Sequence, residues 1–388
     1  MASNTVVVER GGAVQPSEPK PRLHVGDESH HEGLAHGLSE HVKKYLILYT
    51  FLSIVLAVPV GYFSSGLISA DKATLSSLVI LLAILTIYPS MIQLKTEGLS
   101  GTFKLWRPIA VSLSYVFVLS PILAFALAPA LGNRDVGTGF VVANVVPASS
   151  GSLGYVLIAG GSIELATALA IVSLMVAIPA IPFFLSVYGG QVSADVPIAP
   201  IMTSVLYILI LPFVAGQLTR YLLLKAKGSA FVGKSLRPYL SLTTMLSMFA
   251  LIFVLVMREG TLMVAQPLLV GEVIGSQSAI IVGILLLSVF VSRAMRLSYE
   301  DHQSVAFISV TKNQSVAAAI ATLALSPESA LVPAIIPIIQ PVLAVAYIHL
   351  EGPVRALFAR GSQGEDFRKG NGPGLSGTSA IHKMRLQA

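Results

Sequence analysis

Lys312 stands in a run of mostly polar side chains, Ser309-Val310-Thr311-Lys312-Asn313-Gln314-Ser315, within an otherwise apolar stretch at about 302–325. A lysine at the centre of a bilayer costs about 2.5–3.5 kcal/mol on insertion scales, so the folded protein must offset it. Its ammonium can neutralise an anionic solute, or it can give up and retake a proton, because removal from water disfavours the charged form of an amine. A second polar set, Asn144 with Pro147-Ala148-Ser149-Ser150-Gly151-Ser152, interrupts the apolar stretch at about 136–158. Pro147 removes a backbone donor and clashes with the preceding turn, while Gly151 and Gly154 loosen the next turn of the chain. Amides, hydroxyls and freed backbone groups of this kind bind ions and small polar solutes near a membrane midplane. The candidate binding residues are therefore Asn144, Ser149, Ser150, Ser152, Ser309, Thr311, Lys312, Asn313 and Gln314, with Gln340 from a later stretch.

The elements that must hold these residues follow from composition. Of 388 residues, 54% are hydrophobic and 11% charged, against about 25% charged in soluble domains. The apolar residues come in runs long enough to cross ~30 Å of hydrocarbon, which takes about 20 residues each. Lipid offers the backbone no hydrogen-bonding partner, so these runs are expected to be helices. Ten candidate spans fall at about 45–68, 74–94, 108–131, 136–158, 164–188, 199–219, 236–257, 268–292, 302–325 and 329–351. The expected fold is an all-α polytopic membrane protein.

Basic residues set the orientation. With both termini in the cytoplasm, the inner loops hold Lys95, Lys104, Arg107, Arg220, Lys225, Lys227, Lys234, Arg237, Arg293 and Arg296. The outer loops hold only Lys72, Arg134 and Arg258. Lys43, Lys44, Arg355 and Arg360 flank the bundle on the inner side. Residues 1–44, with His24, His30, His31, His36 and His41, read as a disordered His-containing cytoplasmic tail. Residues 361–388 read as a flexible second tail, which leaves 45–360 as the membrane domain. The net charge of +6 follows from this topology and does not point to nucleic acid.

The interruptions fall in the fourth and ninth spans, the same place in each half of five. An odd number of spans per half makes the halves inverted repeats, about 45–188 and 199–351. Broken helices at corresponding places are the best sequence pointer to a transporter's central site. Ser112, Ser114, Ser173 and Ser247 read as small packing residues. Cysteine is absent, which excludes disulfides and thiolate-bound metal. No His-Glu-x-x-His or Gly-x-Ser-x-Gly motif is present, and His302, His349 and His382 form no acid–base set, so an enzyme is not expected. A channel's charged ring or repeated filter is also missing.

The chain resembles the bile acid:sodium symporter superfamily, nearest its arsenical-resistance branch of arsenite efflux permeases. The resemblance rests on Ile87-Tyr88-Pro89-Ser90-Met91, on Pro147 with the small polar residues after it, on Leu297-Ser298-Tyr299-Glu300-Asp301, and on Pro337-Ile338-Ile339-Gln340-Pro341. It implies ten helices in two inverted five-helix repeats, with unwound helices 4 and 9 crossing at the site. It also implies a core of spans 4, 5, 9 and 10 that rocks against the remaining spans. The departures are chemical. Ala148 stands where arsenite permeases carry a cysteine, Lys312 replaces the carboxylate of span 9, and Gln340 replaces an often acidic residue of span 10. Thiolate chemistry with As(III) is thereby excluded.

The function expected is secondary active transport of a small solute across the plasma membrane. The leading reading is efflux of arsenite or a related oxyacid, coupled to protons through Lys312, whose ammonium stands in for the sodium ion of relatives. The alternative is sodium- or proton-coupled symport of an organic anion such as a bile-acid-like carboxylate, with Lys312 as its fixed counter-charge. The expected partners are a small-molecule or oxyanion substrate and the lipid bilayer. No cofactor or resident metal is expected, only a coupling ion, H+ or Na+.

Overall fold

The computed structural model of the chain describes residues 26–97, 99–191 and 197–358. Among the described residues, eight helices are long and apolar enough to cross a membrane: α2 (Leu46–Phe63), α3 (Lys72–Gln93), α4 (Trp106–Leu131), α7 (Ile163–Gln191), α8 (Ile198–Ser235), α9 (Arg237–Arg258), α11 (Pro267–Ala294) and α14 (Glu328–Ile348). Two further apolar stretches are split into shorter helices. These are α5 (Arg134–Val145) with α6 (Ser152–Ile158), and α12 (Tyr299–Val310) with α13 (Gln314–Ala324). Most of the large side chains left exposed on the long helices are apolar, Phe51, Leu81, Phe183, Leu218 and Phe290 among them, as lipid contact requires. The chain is a multi-pass membrane protein.

Local chemistry explains the breaks. Val146 turns extended (ψ 157) immediately before Pro147, where the pyrrolidine ring disfavours helical geometry in the preceding residue. Thr311 is also extended (ψ 91), and Asn313 restarts the helix as its N-cap by accepting the Val316 N–H at 3.3 Å. Asn133 caps α5 through Asp135 and Val136, and Ser298 caps α12 through Asp301.

One expectation needs correction. Residues 26–44, read as part of a disordered tail, form helix α1 (Gly26–Lys44). Its Ala35 and Val42 pack against Leu242 and Met245 of α9, so tertiary burial offsets the poor helix propensity of a Gly- and His-rich sequence. The remainder of that tail, with His24, and the tail at 361–388 lie outside the described residues.

Around the breaks, α9 packs against α2 and α3, and α8 against α3, while α5 packs against α7 and α14. Glycine permits the closest approaches. A Cβ on Gly61 would lie 2.1 Å from the Met257 carbonyl oxygen, and one on Gly139 would lie 2.1 Å from that of Ser329. Arg220 and Gln217 of α8 finish the C-terminal end of α3. Gln217 Nε2 donates to the Met91 and Leu94 carbonyls, and Arg220 Nη1 donates to that of Ile92.

Between α9 and the short helix α10 (Gly260–Ala265), Glu259 is only 8% exposed. Burial pushes its carboxyl up to about 7 from 4.5; the charge of Arg258 opposes the rise and that of Glu328 adds to it. The folded state therefore holds more protons than the unfolded state between those two values. The stability linked to this group is full at low pH and falls as pH rises through the window. Glu259→Gln is expected to remove the loss, raising stability by about 3 kcal/mol at most above pH 7 and by little near pH 4.5. Thermal unfolding of both proteins in detergent across that range checks it. A parallel pair of curves would show that the carboxyl does not titrate there.

Candidate functional site

The two interruptions lie side by side. Ala148 and Lys312 form an antiparallel bridge, in which Ser149 N donates to the Thr311 carbonyl at 2.8 Å and Asn313 N to the Pro147 carbonyl at 2.9 Å. Each broken segment thus supplies the backbone partners that the other lost with its helix, as buried peptide groups require. The remaining edges are closed by side chains. Gln340 of α14 accepts from Lys312 N at 3.0 Å and donates Nε2 to the Lys312 carbonyl at 3.3 Å, so one amide replaces a neighbouring strand. Ala148 N donates to Ser173 Oγ of α7 at 3.2 Å.

The Lys312 side chain is 2% exposed. Its Nζ donates to the Val116 carbonyl of α4 at 2.9 Å and lies 5.8 Å from the centroid of the Phe117 ring. No carboxylate is within salt-bridge distance of it among the described residues. An ammonium has three N–H donors, and this carbonyl is the one hydrogen-bond acceptor that Nζ has among the described residues.

Beside it, Asn144 and Gln277 exchange amide bonds, Nδ2 to Oε1 at 2.9 Å and Nε2 to Oδ1 at 3.3 Å. Ser120 Oγ donates to Asn144 Oδ1 at 3.2 Å, and Ser309 Oγ meets Ser112 Oγ at 3.3 Å. Ser120, Asn144, Gln277, Ser309 and Lys312, with the apolar wall of Ile280, Ile281 and Ile284, close around a narrow gap with no room for a water molecule. The enclosure offers one cation, several neutral oxygens and an apolar side. By the chemistry of its groups, though with no room for either as it stands, such a set matches a small anion against the ammonium or a cation held by oxygens when the lysine is neutral.

The structure thus gathers Asn144, Ser309 and Lys312 of the sequence-derived candidates at this enclosure. Thr311, Asn313, Ser149 and Gln340 build the crossing itself. Thr311 Oγ1 turns back to the Phe307 carbonyl, and Ser149 Oγ accepts from Gly151 N at 3.2 Å. Ser152 Oγ donates to the Ser149 carbonyl, and Ser150 is half-buried away from the enclosure. Gln314 Nε2 donates to the Ala143 carbonyl at 3.3 Å, and its buried Oε1 has no partner among the described residues. Sequence reasoning missed Gln277, Ser120 and the Val116 carbonyl. Gln277 carried a usable signal as a lone amide deep in α11. Ser112 and Ser173, read as packing residues, bond Ser309 and the crossing backbone.

Comparison with known proteins agrees with a transporter. Residues 79–266 match the model of the Sodium Bile acid symporter family. That stretch contains the α5–α6 break and ends before Lys312. The chain is also 26% identical over 309 residues to the uncharacterized transporter slr0944 of Synechocystis sp., covering 72% of this chain and 80% of that protein. The first likeness, to that symporter family, covers just under half of the chain, and the second is to a transporter whose name states no cargo.

Proposed function

We propose that the chain is a secondary active transporter of a small solute whose central site is the crossing of two interrupted helices. The single observation that carries this is the Ala148–Lys312 bridge, with the lysine ammonium buried on a neutral carbonyl. In this reading α5–α6 and α12–α13 are the fourth and ninth of ten membrane passes in two inverted five-helix repeats, within a membrane domain at 45–360. Both termini lie on the cytoplasmic side of the plasma membrane in this reading, an orientation that the bias of basic residues toward the inner loops supports. The C-terminal ends of α5 and α12 and the N-terminal ends of α6 and α13 meet at the crossing, where their partial charges act on a bound ion or solute.

Lys312 carries the coupling. A buried ammonium without a carboxylate partner is costly, so it is stable with an anion beside it or with its proton released. Alternation between these states links proton movement to solute movement, and efflux of arsenite or a related oxyacid is the leading cargo. The oxygens of Ser120, Asn144, Gln277 and Ser309, together with the family similarity, favour a second reading, sodium-coupled symport of an organic anion with Lys312 as counter-charge.

Flux into proteoliposomes under imposed gradients separates them. An inward proton gradient is expected to drive arsenite efflux without sodium. Bile-acid uptake that is insensitive to pH and abolished without sodium would transfer the assignment to the second reading. Flux unaffected by either gradient would exclude coupled transport.

A further inference from the structure

The Val116 carbonyl is free for a reason written in the chain. Within α4 the backbone widens to a π turn at Tyr115–Leu119, and Ser120 N donates to the Tyr115 carbonyl instead of to Val116. The next donor in the π pattern would be residue 121, which is proline and has no N–H. Neither the fourth nor the fifth residue onward can therefore satisfy Val116, whose carbonyl accepts from Lys312 Nζ at 2.9 Å.

The same arrangement occurs once more among the described residues. α8 has a π turn at Leu206–Ile210, Leu211 N donates to the Leu206 carbonyl, and residue 212 is proline. The carbonyl freed there, Tyr207, receives no side-chain donor among the described residues, and the Tyr207 side chain is exposed. An unfilled carbonyl at a π turn is thus tolerated on its own, and the filled one is distinguished by the lysine opposite it.

We infer that Pro121 is a positioning residue for Lys312: by withholding a backbone donor from Val116 it creates the acceptor that seats the ammonium beside Asn144, Gln277 and Ser309. The seat orients the side chain from α12–α13 onto α4, tying the crossing to a helix outside it. Its consequence for transport rests on the coupling role given to Lys312 above.

The test is a double-mutant cycle on the full-length protein. Pro121→Ala supplies the missing N–H, which competes with the ammonium for Val116. It is expected to lower the unfolding temperature by about 3 °C and arsenite flux by roughly tenfold. In a Lys312→Met background it is expected to do neither. Pro212→Ala, the same chemistry at the unfilled turn, is expected to show no coupling to Lys312. Placing the hydroxy-acid counterpart of alanine at 121 removes the N–H without the ring and is expected to restore both properties, which a purely steric role for proline would not allow. Additive effects of Pro121→Ala and Lys312→Met, or failure of the ester to rescue, would overturn the inference. A coupled cycle in which Lys312→Met alone leaves flux intact would uphold the seat and overturn the coupling role.

Discussion

Lys312→Met is expected to give a folded protein that no longer concentrates its solute. Methionine matches the length of the buried stem and brings no charge. The substitution leaves the Val116 carbonyl without a donor, a penalty of about 1–3 kcal/mol. Against this, the protein no longer buries an ammonium with no carboxylate beside it, and apolar replacement of buried ions is often neutral or stabilising. The two nearly cancel, so the unfolding temperature should stay within about 3 °C of the unsubstituted protein. Transport should not stay. Loss of the one ionisable group at the enclosure is expected to lower gradient-driven accumulation at least about a hundredfold, the factor for an interaction of ~3 kcal/mol. Uphill transport measured at the normal rate in Lys312→Met vesicles would remove the lysine from the mechanism. Gln340→Glu makes a useful companion, since its carboxylate can accept from Lys312 N but cannot, when ionised, donate to the Lys312 carbonyl as the amide does.

Gly139→Ala is expected to be, with Gly61→Ala, among the most damaging single-carbon changes in the described residues. The added Cβ would lie 2.1 Å from the Ser329 carbonyl oxygen and 2.8 Å from its carbon, contacts that only a shift of backbone can relieve. Ser329 cannot readily retreat, because its Oγ is bound to the Asp135 carbonyl at 2.9 Å. Separating α5 from the start of α14 would also disturb Gln340, which lies further along α14, and so loosen the crossing. Overpacking of this kind costs about 3 kcal/mol or more, and the variant should yield little monodisperse protein on purification. Gly275→Ala in α11, with nothing within 4 Å of the added carbon, should be neutral or slightly stabilising. Equal unfolding temperatures for the two variants would show that α5 and α14 are less tightly joined than the geometry implies.

The membrane-spanning frame was readable because lipid imposes a simple pattern. Eight of the ten stretches picked out by apolar length coincide with the eight long helices, and Pro147 marked one break through covalent geometry alone. The site was readable only in part. Side-chain type pointed to Lys312, Asn144 and Ser309, but it could not separate a group that lines the enclosure from one that repairs a broken helix. Asn313 and Thr311 bond the backbone beside the break, since a polar side chain beside a helix end satisfies the nearest backbone first. The Val116 carbonyl escaped because a valine shows nothing of its backbone; the visible clue was Pro121, five residues later. Helix α1 escaped because its stability comes from Leu242 and Met245, some two hundred positions away in sequence.

The lack of room for water around Lys312 has a consequence for the proposed carrier. A proton crosses a membrane protein without its cargo when a file of waters joins the two sides, and in this structure no room exists for even one such molecule beside the ammonium. On the transport reading proposed above, packing this tight would keep protons from slipping past alone and so spare the gradient that drives the carrier.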